Sequence, residues 1–260
     1  MRTCAILNMK GGVGKTTTAI NLSYILATSY QQRVLLVDAD GQANATRALL
    51  PGENYDGLTP LLSGLASCYD EVIAHTEIPG LDIVPASNSL WQIDLTCITG
   101  HGHNTLRALR DMRDAIDEDS SYDVIVIDCP PSFSGACVAA IAASNSIIIP
   151  VLPDAFSAEG MEDLVAQIDG VRKLQPDVRI AGCLINQFHR SDVVLDAEEY
   201  LRESSPVPVF ETVIHRTDKV LESTWAHQPV LLWSPRSSAA RDFRAWAQEL
   251  VRKEALCNGR

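Results

Sequence analysis

The chain has 260 residues, 46% of them hydrophobic, which is enough to bury one substantial core. Its 21 lysines and arginines against 33 acids leave a formal net charge of −12, which argues against a surface coated in positive charge for wrapping nucleic acid but permits a local basic patch. No apolar stretch is long enough for a membrane span, and the run Thr3 to Leu7 is too short for a signal peptide, so a cytoplasmic location is expected.

Read in chain order, Cys4 to Leu7 predicts a short buried strand and Thr16 to Thr28 a helix. Arg33 to Val37 predicts a second strand ending in Asp38-Ala39-Asp40. Gly52 to Gly80 mixes glycines with short apolar pieces and suggests small helices and turns. Leu81 to Val84 is a further strand, and Asn104 to Glu118 carries apolar residues at helical spacing. Val124 to Ile127 and Ile147 to Ile149 are β-branched strand cores. Met161 to Leu174 then predicts a helix, Arg179 to Ile185 a strand, Val194 to Arg202 a helix and Val207 to Phe210 a strand between prolines. Ser237 to Ala255 predicts a last helix with Phe243, Ala247, Leu250 and Val251 on one apolar face.

Strands apolar throughout and separated by helix-length segments indicate an α/β fold, a mostly parallel sheet covered by helices on both faces. Functional residues are then expected beyond the carboxyl ends of the strands. No repeat or linker interrupts the pattern, so one domain over 1–260 is the economical expectation. Seven cysteines include no CxxC pair; Cys4, Cys129 and Cys183 lie in or beside strand-like runs, as buried reduced thiols would. The tryptophans at 91, 225, 233 and 246 read as packing residues, and His101 and His103 as exposed loop residues without a ligand set.

Between the first strand and the first helix stands Met9-Lys10-Gly11-Gly12-Val13-Gly14-Lys15-Thr16-Thr17. The last three positions of a phosphate-binding loop, glycine-lysine-hydroxyl, are met by Gly14, Lys15 and Thr16, while Met9 replaces the first required glycine. The glycines let backbone amides close on phosphate oxygens, and the following helix adds the positive end of its dipole. Lys15 then reaches the outer phosphates and the Thr16 hydroxyl ligates Mg²⁺. Asp128, just after the strand Val124 to Ile127, is placed to hold that metal. Asp38 and Asp40 end the neighbouring strand, as site carboxylates or as turn caps.

These segments resemble, in order, the motifs of the deviant Walker A ATPases, the ParA and MinD group, in its ParA/Soj-type partition branch. Lys10 to Thr17 reads KGGVGKTT, Val37 to Asn44 reads VDADGQAN, and Tyr122 to Ser132 reads YDVIVIDCPPS. Ile149 to Pro153 with Glu159-Gly160, Val213 to Val220, and Pro229 to Ala240 extend the match over nearly the whole chain. Gly41 and His215 stand where the family commonly has proline.

The resemblance implies a P-loop ATPase using ATP and Mg²⁺, with the family's signature lysine falling on Lys10. By that resemblance Lys10 crosses a face-to-face homodimer to the partner's nucleotide. It gives Asp40 the attacking water, Asp38 a supporting role at the metal, and Asn186 the adenine, although a plain loop asparagine fits that position too. A low basal rate is expected. Arg216, with Lys219 nearby, resembles a DNA-contacting surface, which implies non-specific DNA binding, nucleoid association and an adaptor resembling a centromere-binding ParB-type protein. The phosphate loop begins so early that no helix-turn-helix domain is expected before it. The alternatives are an ATPase positioning a protein cargo and a MinD-like membrane-bound one; the latter needs the apolar face of the last helix to be free, and packing of that face inside the domain is the expectation.

Overall fold

A computed structural model describes residues 1–52, 55–93, 105–173 and 175–254. Seven strands form one sheet in the order β3-β4-β2-β5-β1-β6-β7. They are β1 (Arg2–Ile6), β2 (Val34–Asp38), β3 (Ala74–His75), β4 (Leu81–Val84), β5 (Val124–Asp128), β6 (Ser146–Val151) and β7 (Arg179–Ile185). All pairings are parallel except the antiparallel edge pair β3 and β4. The carboxyl ends of β1, β2 and β5 therefore open on one rim of the sheet, where the motif residues sit.

The helices are α1 (Lys15–Ser29), α2 (Asn44–Leu49), α3 (Leu58–Leu62), α4 (Thr105–Asp119), α5 (Gly135–Ala143), α6 (Ala155–Val171), α7 (Asp192–Ser204), α8 (Asp218–Trp225), α9 (Val230–Trp233) and α10 (Ser238–Glu254). Alternation along the strands divides the core in two. Ile125 and Ile127 of β5 join Leu109, Met112 and Ile116 of α4 and Ile141 of α5 on one face. Val124 and Val126 point the other way, to Leu22, Ile25 and Leu26 of α1 and to Phe243, Trp246 and Leu250 of α10. A sheet buried on both faces has no polar side, so every residue of β2, β5 and β6 is buried.

Trp246 is fully buried and meets Phe210 and Phe243 edge-on at centroid distances of 5.9 and 6.3 Å. The apolar face of α10 is thus an internal one. No helix among the described residues is long and apolar enough to cross a membrane.

Some expectations need correction. Val207 to Phe210 is not a strand but a single bridge from Val209 to Cys183, because Pro206 and Pro208 cannot donate to a ladder. Helix α5 escapes periodicity because Gly-Ala-Cys-Val-Ala-Ala-Ile-Ala-Ala is apolar on all sides. Only Trp246 is a packing tryptophan; Trp225 is 85% exposed, and Trp91 and Trp233 are exposed as well. Cys4, Cys129, Cys137 and Cys183 are buried free thiols, whereas Cys68 is exposed. His101 and His103 lie outside the described residues.

Candidate nucleotide site

The loop from β1 to α1 is held from both sides. Asn8 donates from Nδ2 to the Pro150 carbonyl of β6 at 2.8 Å, and its Oδ1 accepts the Lys10 amide at 2.9 Å. Gly12 and Gly14 take φ values of +75° and +89°, open at little cost only to glycine. Gly14 has a second constraint: a Cβ there would fall 2.2 Å from Asn186 Nδ2. That amide donates to the Val13 carbonyl at 2.8 Å, and Gln187 Nε2 donates to the Gly12 carbonyl at the same distance. The end of β7 therefore clamps the loop.

Lys15 opens α1 and donates its ammonium to the Lys10 carbonyl across the curl, at 2.9 Å. Burial lowers its pKa, and the nearby Asp128, Cys129 and Asp40 pull it back upward. Lys10 itself turns away from the loop to Asp154, Nζ to Oδ2 at 2.6 Å.

Asp38 and Asp128 end adjacent strands as register partners. Asp38 is fully buried; its Oδ2 accepts both the amide and the hydroxyl of Thr46 at 2.8 Å, and Oδ1 accepts the Asp40 amide at 3.2 Å. Burial nevertheless pushes it up to about 6, against those hydrogen bonds. Both oxygens of Asp128 are buried beside the Thr16 hydroxyl, and neither reaches a partner at full hydrogen-bond geometry among the described residues. Burial, then the Asp38 charge, raise its pKa well above the carboxylate range, while the Thr16 hydroxyl and Lys15 oppose the rise.

Two unmatched oxygens facing a hydroxyl at the head of a helix are the donor set a divalent cation would complete. The loop amides, Lys15 and the Asp128–Thr16 pair thus fit a nucleotide phosphate chain with Mg²⁺. Asp40, beyond the end of β2, is half-buried, and its Oδ1 accepts the Gln42 amide at 2.9 Å. The three aspartates have separate situations: Asp38 anchors the start of α2, Asp128 lies unpaired, and Asp40 lines the cleft.

That cleft, about 500 Å³, brings together Gly11, Gly12, Gly14, Lys15, Thr16, Thr17, Asp40, Asn186 and Arg216. Val13 is buried beneath it and gives its carbonyl to Asn186. Lys10 does not line the cleft. Lys219 does not line the cleft, although its α8 neighbours Asp218 and Val220 do, and its ammonium is paired with Glu222 at 2.7 Å. Asn186 is buried, and its Oδ1 accepts the Gln187 amide, so the side chain positions the phosphate loop whatever else it touches. A second cleft of about 460 Å³ adjoins on the far side of Asp40, lined by Gln42, Asn88, Trp91 and Ser134 among others.

Sequence reasoning missed Asn8, Asp154 and Gln187. Asn8 and Gln187 each neighbour a residue of the predicted site, and that adjacency was their only signal. Asp154 adjoins the segment Ile149 to Pro153, but at 144 residues from Lys10 nothing local marks it as that lysine's partner.

Comparison with known proteins agrees with this geometry. A family model described as AAA domain matches residues 1–180. The chain is 34% identical over 258 residues to the chromosome partitioning protein ParA of Caulobacter vibrioides, covering 98% of this chain and 95% of that protein. It is 34% identical over 257 residues to the sporulation initiation inhibitor protein Soj of Bacillus subtilis, covering 95% and 97%. Among solved structures, cobyrinic acid a,c-diamide synthase from Mycobacterium smegmatis, with bound ATP analog and magnesium, superposes with a TM-score of 0.83. It is 26% identical, over 97% of this chain and 94% of that one.

Proposed function

The chain belongs to the ParA/Soj family of partition-type P-loop ATPases, and we propose that it hydrolyses ATP slowly in a cycle of nucleotide-dependent dimerisation and DNA release. The observation that carries the reading is the placement of Asp128, buried, unpaired and beside Thr16, beneath a glycine loop closed by Lys15.

Thr16 and Asp128 are the residues that would hold Mg²⁺, with Asp38 behind them. When bound, the metal supplies charge neutralisation on the phosphates. Lys15 exchanges its carbonyl partner for a phosphate oxygen, and the amides from Gly11 to Thr17 surround the rest. Asp40 orients water at the cleft mouth. Positioning of water by a half-exposed side chain, with little else to activate it, fits a low basal rate. Lys10 leaves Asp154 and serves the partner's nucleotide in a homodimer.

Arg216 at the cleft rim supports non-specific contact with DNA in the ATP state, with Lys219 beside it once freed from Glu222. Plasmid or chromosome partition is the process this chemistry suits, with a separate ParB-like adaptor accelerating hydrolysis on the nucleoid. We assign all of residues 1–260 to this one ATPase domain. The MinD-like membrane alternative draws nothing from α10, whose apolar face is occupied by Phe210 and the sheet.

Phosphate release and sedimentation with Mg·ATP test the cycle together. Asp40→Ala is expected to bind ATP and dimerise without releasing phosphate; phosphate release at the unmodified rate contradicts the role of Asp40. DNA affinity measured with ATP at several salt concentrations is expected to fall steeply as salt rises, and Arg216→Ala to flatten that slope by about one charge. Absence of ATP-enhanced binding at low salt contradicts the DNA part alone.

A further inference from the structure

The nucleotide cleft has two chemically different ends. The glycine loop and Lys15 form the end that suits phosphates, so a nucleotide seated there carries its base toward the other. That far end is walled by Ile214, Val220, Leu221 and Phe243, apolar groups that suit the faces of a heteroaromatic ring. Two of its polar side chains are already committed. Thr217 caps α8 by accepting the Lys219 amide, and Thr224 donates its hydroxyl to the Leu221 carbonyl at 2.7 Å.

His215 lines the same end, with its side chain 47% exposed. Its backbone amide and its Nδ1 both lie 2.9 Å from one oxygen of Asp242, on α10. Its ring meets Phe188 edge-on at a centroid distance of 5.4 Å. The backbone on either side is fixed as well, because the Phe188 amide donates to the Ile214 carbonyl and the Arg216 amide to the Phe188 carbonyl. A carboxylate can only accept, so Nδ1 carries the ring hydrogen. In the neutral imidazole the lone pair then sits on Nε2.

We infer that His215, oriented by Asp242, selects the base of the nucleotide: its Nε2 accepts from an exocyclic amino group and repels a carbonyl at the same place. The class favoured is a 6-aminopurine triphosphate over a 6-oxopurine one. This rests on the nucleotide reading of the cleft. It gives base selection to the His215–Asp242 pair and leaves Asn186, which engages Val13 and Gln187, to the phosphate loop. A proline at position 215 would offer no such nitrogen, so the device belongs to this chain's own residue. Asp242 is a positioning residue, and Arg216 and Asp218 are the charged neighbours on the histidine's own segment.

Calorimetric titration of the full chain at pH 8 compares Mg·ATP with the magnesium salt of inosine triphosphate, which differs along the purine edge bearing the 6-substituent. ATP is expected to bind about tenfold more tightly. His215→Phe and, separately, His215→Ala are expected to bring the ratio within about twofold, by weakening ATP and leaving the inosine nucleotide nearly unchanged. Asp242→Leu frees the tautomer and is expected to lower the ratio, whereas Asp242→Asn keeps an oxygen acceptor and is expected to preserve it. Asp218→Asn, a carboxylate at the same end, is expected to leave the ratio alone. Equal binding of the two nucleotides, a ratio retained by both His215 variants, or a ratio lost in Asp218→Asn overturns the inference and leaves the nucleotide reading standing. Binding of neither nucleotide overturns both. Circular dichroism checks that each variant is folded.

Discussion

Lys10 donates its ammonium to Asp154 at 2.6 Å within the same chain, whereas the role proposed for it is at a partner's nucleotide. The two side chains are about one-third exposed, and exposed ion pairs of this kind hold by roughly 1 kcal/mol or less. Such a contact parks the lysine without trapping it.

Asp154→Asn is therefore expected to strengthen the ATP-dependent dimer modestly, by about threefold to fivefold in dissociation constant. Lys10→Ala is expected to abolish that dimer while preserving the unfolding temperature of the monomer. Sedimentation equilibrium with Mg·ATP separates the two; a full ATP dimer from Lys10→Ala contradicts the partner-directed role.

The carboxylates at the ends of β2 and β5 oppose folding when ionised. Burial raises Asp38 from an ordinary value of 3.8 to about 6, and it raises Asp128 well above the carboxylate range as well. A raised folded pKa gives stability that is complete below the unfolded value and is lost as pH rises through the folded one. For Asp38 the loss begins near pH 4 and is in place once pH has risen through about 6. Asp128→Asn, measured without metal or nucleotide, is expected to raise stability at pH 8 by about 1–3 kcal/mol, because the amide carries no charge to bury although it remains a buried polar group. That corresponds to a rise on the order of 5 °C in Tm for a domain of this size. At pH 5 the gain shrinks, and Mg·ATP binding is lost at both pH values. Thermal scans at two pH values decide this; a variant less stable than the parent at pH 8 contradicts it.

Asn186 holds the loop by one hydrogen bond to Val13 and turns its oxygen to Gln187. Asn186→Ala is expected to weaken ATP by about tenfold and GTP by a similar factor, because the lost contact serves the phosphates. Titration of both nucleotides checks it. A loss confined to ATP would assign the residue to the adenine instead.

Trp246 fills the space between Phe210, Phe243 and the sheet. Trp246→Ala is expected to destabilise the chain by about 3–5 kcal/mol in urea unfolding, a cavity of that size closing only partly. With the apolar face of α10 buried, ATP is expected to bring no lipid-vesicle association, and sedimentation with vesicles tests this.

The layered sheet and the phosphate loop are legible in the residues alone. Strands such as Val124 to Ile127 are apolar on both sides, and that pattern has one economical solution, a sheet covered twice. The loop was legible for a related reason: Gly11 to Thr17 are contiguous, and their chemistry depends on local backbone freedom and a following helix start. Helix α5 was not legible, since a segment buried on all sides carries no period to read.

Tertiary structure alone decided which of three aspartates is left without a partner. Asp38 and Asp40 lie two residues apart in sequence, yet the strand ends between them, turning one to Thr46 and the other to the cleft. Asp128 acquires its unmatched oxygens only because β5 lies between β1 and β2. The Lys10–Asp154 contact and the Asn186 clamp likewise join residues through packing. Side-chain partnership over 144 or 173 residues leaves no mark on local composition.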